Sequence, residues 1–542
     1  MASMAETEKT KSLGARHAGA IMGVFISRCS GVVRTIVVNS VLGAGTSLDA
    51  FNTAFRFPNS LRDLFADGAL SAAFIKGLID IKPQGAEAEK YLISTVLGFF
   101  SFVTFGLAII AALFAPEFIR LMSDQRFIAS GGMALATQIF QVLIFYLPLT
   151  MLNAIMMGIL GVRGDTFRAM NGSIFLSVGM IAGVLCAPLF KQYQLLPVWG
   201  LTWGAMLGAF LQLIYQSFPM WKDKSLPWPN MNPRRWLHYQ PLKQILQLMA
   251  PRAIGQGAST LALMVNTFFA LQISLGAMTY VATTMIVIQV PIGLFGVATG
   301  FAALPVLTET LLRGDIRRFS QLLTESLDTS CWLALFTTIG LAFLMLPVYI
   351  VIFQHGAIHF KDTILNCIAI SAFSTGIFFG AGSKVLLNTL YAINATRLIV
   401  FNSIVYLILS TLLSYLLTPH FGLTGLGLAF GLSSAGNFWM NYAFINSIFK
   451  QKYGISPYAE GHRHYTLLYL AASLFVIVIG ITGCYVISIS WINWGWINHF
   501  LHALLFSILS GLVFIALFAL LTLLFGPKTL RKQLEKLKRK TR

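Results

Sequence analysis

Long apolar segments recur along the whole chain and most constrain what it can fold into. Each is long enough for the ~20 residues that an α-helix needs to cross ~30 Å of hydrocarbon. Because 56% of the 542 residues are hydrophobic and only 11% are charged, a soluble fold would have too apolar a surface. We therefore predict an all-α polytopic membrane protein with about fourteen transmembrane helices. The predicted spans are 18–43, 50–78, 91–114, 134–160, 171–190, 198–218, 244–272, 278–307, 329–353, 363–392, 398–417, 423–448, 465–489 and 498–525.

Lysine and arginine are distributed unevenly among the segments that connect these spans. If the N-terminus is cytoplasmic, 28 of the 38 Lys and Arg residues lie in cytoplasmic segments, counting Lys76 at the cytoplasmic end of span 50–78, and only four lie in outer loops. This asymmetry follows the positive-inside rule, so the net charge of +19 indicates membrane orientation and no nucleic-acid partner. Both termini are predicted to be cytoplasmic, with no removable signal peptide. The other six basic residues lie inside predicted spans and are Arg28, Arg34, Arg56, Arg62, Arg252 and Lys384.

Four of these six cations lie in the first two spans, together with two carboxylates. A charged side chain near the middle of a membrane helix costs about 2.5–3.5 kcal/mol, so such residues usually face a cavity or one another and mark a site. Polar side chains form two adjacent stripes along span 1 and recur at helical spacing in span 2. The stripes of span 1 hold Arg28, Thr35 and Asn39, then Ser27, Gly31 and Arg34, and span 2 holds Arg56, Asn59, Arg62, Asp63 and Asp67.

These charges allow a structural and a functional interpretation. In the structural one, Arg56 or Arg62 forms buried ion pairs with Asp63 or Asp67. Two acids cannot neutralise four arginines, however, and a net positive charge remains. Arginine suits phosphate because its planar fork donates two parallel hydrogen bonds and stays charged. The functional interpretation is a cationic cavity that binds a phosphate-bearing ligand.

Short motifs of spans 1–6 recur in spans 7–12 at offsets of 222 to 233 residues, with Pro58 matched by Pro291 and Gly200 by Gly422. Such parallel repeats predict two six-helix lobes with a binding site at their interface, followed by two further C-terminal helices. The predicted segments are a cytoplasmic N-terminal segment (1–17), an N-lobe (18–220), a cytoplasmic linker (221–243), a C-lobe (244–449), a cytoplasmic loop (450–464), helices 13 and 14 (465–525) and a basic cytoplasmic tail (526–542).

The two predicted lobes differ in charge. The positions of span 8 that match the charged end of span 2 are Phe295, Gly296 and Gly300. The second half of the chain offers two cations within its spans. Arg252 lies near a helix end, where snorkelling to the cytoplasmic surface would also explain it. Lys384 lies deeper, and we predict that it provides a second cationic contact.

Several motifs at fixed spacings lie between Ser27 and Ala69. They are Ser27-Arg28, Gly31-x-x-Arg34, Gly43-Ala44-Gly45, Asp49-Ala50-Phe51 and Phe57-Pro58-Asn59-x-Leu61-Arg62-x-Leu64-Phe65-Ala66-x-Gly68-Ala69, and Val290-Pro291-x-Gly293 and Lys384-Val385-Leu386 follow later in the chain. This pattern resembles the MurJ (MviN) family of bacterial lipid II flippases. The fourteen predicted spans extend the resemblance over the whole chain.

The resemblance implies the fold of the multidrug/oligosaccharidyl-lipid/polysaccharide exporter superfamily, with a groove from helices 13 and 14 for a lipid tail. It implies a transporter and no enzyme, located in the bacterial inner membrane. The implied substrate is lipid II, an undecaprenyl-pyrophosphate-linked disaccharide-pentapeptide, which crosses from the inner to the outer leaflet by alternating access. Membrane lipids and the cell-wall synthesis machinery are the other implied partners. We expect no cofactor, and coupling to the membrane potential or to a monovalent cation stays open.

The resemblance also assigns roles to individual residues. The predicted substrate-binding residues are Arg28, Arg34, Asn59, Arg62 and Lys384, and the predicted supporting polar residues are Ser27, Asp49, Arg56, Asp63, Asp67 and Arg252. Three positions depart from the family pattern. Thr35 and Ala395 replace acidic residues, and Ile286 replaces a cavity arginine. The alanine puts a cation site at that position in doubt.

Other functions remain open from the sequence. A protein of the same fold could flip another polyprenyl-pyrophosphate-linked glycan or export cationic drugs in exchange for a cation. A different class is a membrane enzyme that acts on polyprenyl phosphates, with Asp63 and Asp67 holding Mg²⁺. The surplus of arginine favours a phosphate-bearing substrate over a cationic drug, but it does not identify the sugar.

Overall fold

The computed structural model describes residues 22–23, 26–64, 70–458, 462–490, 500–527, 530–531 and 535. All regular elements in these ranges are helical. They are α1 (26–42), α2 (Thr46–Leu64), α3 (Leu70–Ile81), α4 (Ala86–Leu113), α5 (Ala115–Met122), α6 (Gln125–Ala129), α7 (Gly132–Leu143), α8 (Tyr146–Arg163), α9 (Thr166–Asn171), α10 (Ile174–Leu185), α11 (Ala187–Gln192), α12 (Val198–Lys222), α13 (Pro233–His238), α14 (Gln240–Ile273), α15 (Ala277–Pro291), α16 (Ala298–Leu312), α17 (Ile316–Ile352), α18 (Phe360–Ala392), α19 (Thr396–Tyr453), α20 (His462–Ser490) and α21 (Phe500–Phe525).

Helices occupy the described part of each of the fourteen predicted spans. Among the described residues, ten helical segments are long and apolar enough to cross a membrane. One of them, α19, contains predicted spans 11 and 12, which meet at Gly422 with φ 54° and ψ −129°. The remaining spans, 1, 2 and 7, correspond to α1, to α2 with α3, and to α14. The predicted fold class, an all-α multi-pass membrane protein, is confirmed.

The chain divides into two compact units, Met1–Thr260 and Leu261–Arg542. The predicted segment boundaries stay predictions, and segment 1–17 and most of the tail 526–542 lie outside the described residues. In the first unit, α10 and α12 pack backbone to backbone through glycines. A Cβ atom on Gly183 would lie 2.1 Å from the carbonyl oxygen of Gly200, and one on Gly179 would lie 2.4 Å from that of Gly204. Only glycine permits this approach.

In the second unit, α18 is central because it packs against α15, α16, α17, α19 and α20. Most of the α18 side chains between Thr363 and Ala392 are buried. Between α15 and α16 the chain forms a π-helical segment, Ile292–Val297, directly after Pro291. Proline removes one backbone donor, and the wider helical turn fits the local loss of a regular hydrogen bond.

Candidate functional site

The rotation of α1 in the first unit is set by serine contacts with the helix that carries span 5. The hydroxyl oxygens of Ser27 and Ser173 lie 2.5 Å apart. One turn further along, the Ser30 hydroxyl donates to Ser177 Oγ over 3.2 Å. Ser27, which the sequence placed among the polar cavity residues, therefore contacts another helix. These paired hydroxyls fix which face of α1 turns away from α10.

Arg34 lies two turns after Ser27 on α1 and is half-buried. Its Nη1 donates to the sulfur of Met180 over 3.8 Å. Arg62 on α2 and Tyr146 at the start of α8 lie within electrostatic range of its guanidinium group. Two like charges and a phenol from three helices thus interact electrostatically inside the first unit. Since guanidinium groups repel one another at low dielectric, an anion between them would lower the energy of this arrangement.

Helix α2 carries several more of the predicted site residues of the first unit. Asp49 lies in the first helical turn, where a carboxylate interacts favourably with the helix dipole, and its side chain is fully buried. Phe55 contacts the Tyr146 ring with centroids 5.4 Å apart, which holds α2 against α8. Arg56 and Asn59 are half-buried on the same helix. Asp49, Arg56, Arg62 and Tyr146 each make at least one further interaction, so none of these groups is without a partner.

The other predicted site residues are more dispersed. Arg28 on α1 and Lys384 on α18 are exposed. Asp63 lies in α2 and Arg252 in α14, but their side chains are not described, and Asp67 lies outside the described residues. The structure therefore brings Arg34 and Arg62 together, and the substrate-binding roles of all these residues stay predictions.

Close packing beside Lys384 explains why the second unit lacks the carboxylates of span 2. A Cβ atom on Gly296 would lie 2.6 Å from the Cα atom of Ala381. One on Gly300 would lie 2.4 Å from Asn388 Nδ2 and 3.0 Å from the carbonyl oxygen of Lys384. These are the positions that match the acidic residues of span 2. A larger side chain at either position would require its neighbours to shift, which accounts for the glycines found there.

Two neighbours of Arg34 were not predicted from the sequence. Nothing in the sequence marks Met180 as a site residue, because a methionine in an apolar span resembles any other packing residue. Tyr146 is marked only weakly as a site residue, since its phenol interrupts an apolar run two residues before Pro148. The structure places this tyrosine at the junction of α7 and α8, fully buried.

The chain is similar to known proteins over most of its length. A family model described as "Lipid II flippase MurJ" matches residues 38–525. The chain belongs to the MurJ family. The resemblance drawn from the motifs of spans 1, 2, 8 and 10 is thus confirmed, and a multi-pass inner-membrane protein follows from this family membership together with the apolar helices.

Individual relatives extend this result. A probable lipid II flippase MurJ of Buchnera aphidicola is 26% identical over 491 residues, covering 90% of this chain and 94% of the relative. The lipid II flippase MurJ of Burkholderia cenocepacia is 27% identical over 414 residues, covering 76% of this chain and 80% of the relative.

Two solved structures share the fold of this MurJ-family chain. A lipid II flippase MurJ in an inward closed conformation has a TM-score of 0.66 at 20% identity and covers 88% of this chain and 98% of its own. An inward-facing multidrug resistance transporter of the MATE family has the same TM-score at 14% identity. The match covers 80% of this chain and 99% of the transporter. Both likenesses concern the fold alone.

Proposed function

We propose that this MurJ-family chain is a flippase that moves lipid II from the inner to the outer leaflet of the bacterial cytoplasmic membrane. The observation that carries the proposal is the family match over residues 38–525. The names of the Buchnera and Burkholderia relatives support the same substrate. The MATE-family structure supports only the fold, and it leaves export of a cationic drug as the alternative within that fold.

The charges of the first unit favour a phosphate-bearing substrate over a cationic drug. Arg34 and Arg62 lie within electrostatic range of each other, and a cationic ligand would add to their repulsion. The pyrophosphate of a polyprenyl-linked precursor would instead accept hydrogen bonds from both guanidinium forks. Arg28, Asn59 and Lys384 are the further residues that we propose to contact this substrate.

Transport in this proposal proceeds by alternating access. The substrate enters from the cytoplasmic leaflet, and the conformational change then opens the site to the outer leaflet. The site must not bind the pyrophosphate equally tightly in both states, because equal affinity shifts no equilibrium. The membrane potential could assist the return of a cationic site, since it contributes about 2.3 kcal/mol per charge per 100 mV. A monovalent cation is the alternative source of coupling.

No covalent bond is broken in this mechanism, and we propose that the chain is no enzyme. Both termini lie in the cytoplasm, as the distribution of Lys and Arg favours. Lipid II and the surrounding lipids are the direct partners, and the cell-wall synthesis machinery is a further one. A flippase for another polyprenyl-pyrophosphate-linked glycan would use the same arginines, and only the sugar and peptide contacts would differ.

The test is depletion of the protein in its host, followed by an assay of which leaflet holds lipid II. We expect lipid II to accumulate on the cytoplasmic side and wild-type protein to restore export. Arg62→Ala should not restore it, whereas Arg120→Ala, which changes an exposed arginine of α5, should. An unchanged leaflet distribution after depletion would reject lipid II as the substrate and direct the assay to other polyprenyl-linked glycans.

A further inference from the structure

The segment that joins α12 to α14 is held along α4 by two hydrogen bonds, and a third hydrogen bond within the segment supports its course. We call residues 223–239 the α4-bound linker. The Ser94 hydroxyl donates to the Trp228 carbonyl over 2.6 Å, and the Asn230 amide donates to the Ser94 carbonyl over 2.9 Å. The Trp236 indole N–H in turn donates to the Asn230 carbonyl over 2.7 Å. These bonds fix the backbone of the linker on the surface of a membrane-spanning helix.

The contacts with α4 set the depth of the linker. A Cβ atom on Gly98 would lie 1.9 Å from the Asn230 carbonyl oxygen, so the two backbones touch. Gly98 lies about three turns from the start of α4, inside the apolar part of that helix. Trp236 packs against Phe99 and Phe102, with ring centroids 5.8 and 5.5 Å apart. The linker therefore lies alongside a helix that is long and apolar enough to cross a membrane.

The outer side of the linker combines exposed apolar groups with positive charge. Trp228 is 91% exposed and Met231 is 57% exposed. Trp221, at the end of α12, is 73% exposed. The basic residues of the linker and its two flanks are Lys222, Lys224, Arg234, Arg235 and Lys243, all exposed, and the same stretch contains one acidic residue, Asp223.

We propose that the α4-bound linker is a docking surface for anionic phospholipid headgroups of the cytoplasmic leaflet. Tryptophan favours the membrane–water interface because its ring is amphipathic, and Trp228 is bonded to Ser94, about two turns from the start of α4. Arg234 and Arg235 would donate to lipid phosphates, to which arginine binds bidentately. The occupant is a lipid surface because the linker combines exposed tryptophan and basic side chains beside one end of a helix apolar enough to cross a membrane. This proposal goes beyond the flippase activity and does not depend on the identity of the substrate.

The test measures hydrogen–deuterium exchange of the full chain in nanodiscs. One set contains zwitterionic phosphatidylcholine alone, and the other contains about one-third phosphatidylglycerol. We expect backbone amides of residues 223–235 to exchange several-fold more slowly in the anionic discs. High salt should reverse this protection, because screening weakens the attraction. Inorganic phosphate added to the zwitterionic discs should not reproduce it, since the free ion offers no apolar surface for Trp228.

Two variants and a matched control complete the test. The pair Arg234→Gln and Arg235→Gln should remove the lipid-dependent protection, and Trp228→Ser should reduce it without unfolding the protein, because this side chain is almost fully exposed. The control pair Arg317→Gln and Arg318→Gln removes the same charge from the exposed start of α17 and should leave the protection at 223–235 intact. Exchange that is independent of lipid charge in the wild type would overturn the proposal and would favour a protein partner for the exposed tryptophan.

Discussion

Arg34 on α1 and Arg62 on α2 lie within electrostatic range of each other inside the first unit, with the buried Tyr146 beside them. Two cations on adjacent membrane helices raise the energy of the apo state. A fold keeps such a pair when a polar network supports it or when a ligand neutralises it. The two cases differ in what an alanine substitution does to stability.

The first prediction concerns Arg62. If it binds substrate phosphate, Arg62→Ala should abolish rescue of flippase-depleted cells with little change in thermal stability. Loss of one charge-assisted contact corresponds to about 1.5–3 kcal/mol in binding. Arg62→Lys keeps the charge but not the fork, and we expect partial rescue. If Arg62 instead forms a structural ion pair, its removal should cost about 3–5 kcal/mol of unfolding free energy. Growth assays and thermal unfolding in detergent, measured together, decide between the two.

The second prediction uses the contact between Gly98 and Asn230. A methyl group on Gly98 would meet the Asn230 carbonyl at 1.9 Å, so Gly98→Ala should displace the linker and cost about 1–3 kcal/mol. Gly106→Ala on the same helix meets nothing within 4 Å and should be neutral or stabilising by about 0.5–1 kcal/mol. Thermal unfolding of both variants is the measurement. Equal midpoints for the two would contradict the close approach of the linker to α4.

The third prediction concerns the glycine contacts between α10 and α12. Gly183→Val should force the two helices apart, because even a Cβ atom there would lie 2.1 Å from the Gly200 carbonyl. We expect poor expression and a lower unfolding midpoint. Gly511→Val on α21 is the matched control, since its Cβ would have nothing within 4 Å. A midpoint for Gly183→Val that equals that of the control would show that this interface is looser than described.

The fourth prediction is a pH dependence at Tyr458, which follows α19 outside the membrane-spanning segments. Its hydroxyl donates to the Tyr442 carbonyl over 2.9 Å, and its ring stacks on Tyr442 with centroids 4.0 Å apart. Burial, with a smaller contribution from Tyr442, raises the pKa of Tyr458 well above its usual value of 10.0. The folded state thus keeps this phenol neutral at a pH where the unfolded chain ionises it.

The sign of the effect follows from that raised pKa. The stabilising contribution of Tyr458 is fully present below about pH 10 and is lost as the pH rises toward the folded pKa. At pH 8, Tyr458→Phe should cost about 0.5–1.5 kcal/mol through the lost hydrogen bond. Above pH 10 this difference should shrink and then reverse, because phenylalanine does not titrate. Denaturant unfolding of both proteins at pH 8 and at alkaline pH measures it, and a constant difference would contradict the burial of the phenol.

Sequence reasoning identified the helices well because membrane insertion leaves few alternatives. An apolar run of the right length has to satisfy its backbone hydrogen bonds internally, so the runs around α4, α12 and α18 are helical without reference to their neighbours. The break at Gly422 was also predictable, since the apolar pattern stops near it. Motif spacing around Arg34 and Arg62 was specific enough to indicate the family before any comparison.

Other features depend on contacts between segments that are distant in sequence. The serine contact from Ser27 to Ser173 joins residues 146 positions apart, and no periodicity within α1 predicts its partner. The course of the linker along α4 was equally hidden, because the sequence suggested only a basic cytoplasmic segment. Helical stripes show which residues share a face, but they do not show what that face contacts.

The sequence by itself thus determined a helical membrane protein, its spans, the sign of the charge within spans 1 and 2 and its family. These follow from local chemistry, namely hydrophobic length, charge placement and motif spacing. Only the tertiary structure decided that Arg34 lies within electrostatic range of Arg62 and Tyr146, that Gly296 and Gly300 are required by close packing against α18, and that Trp228 is held on α4. Each of these depends on the distance between two helix surfaces, which packing sets and which no single segment encodes.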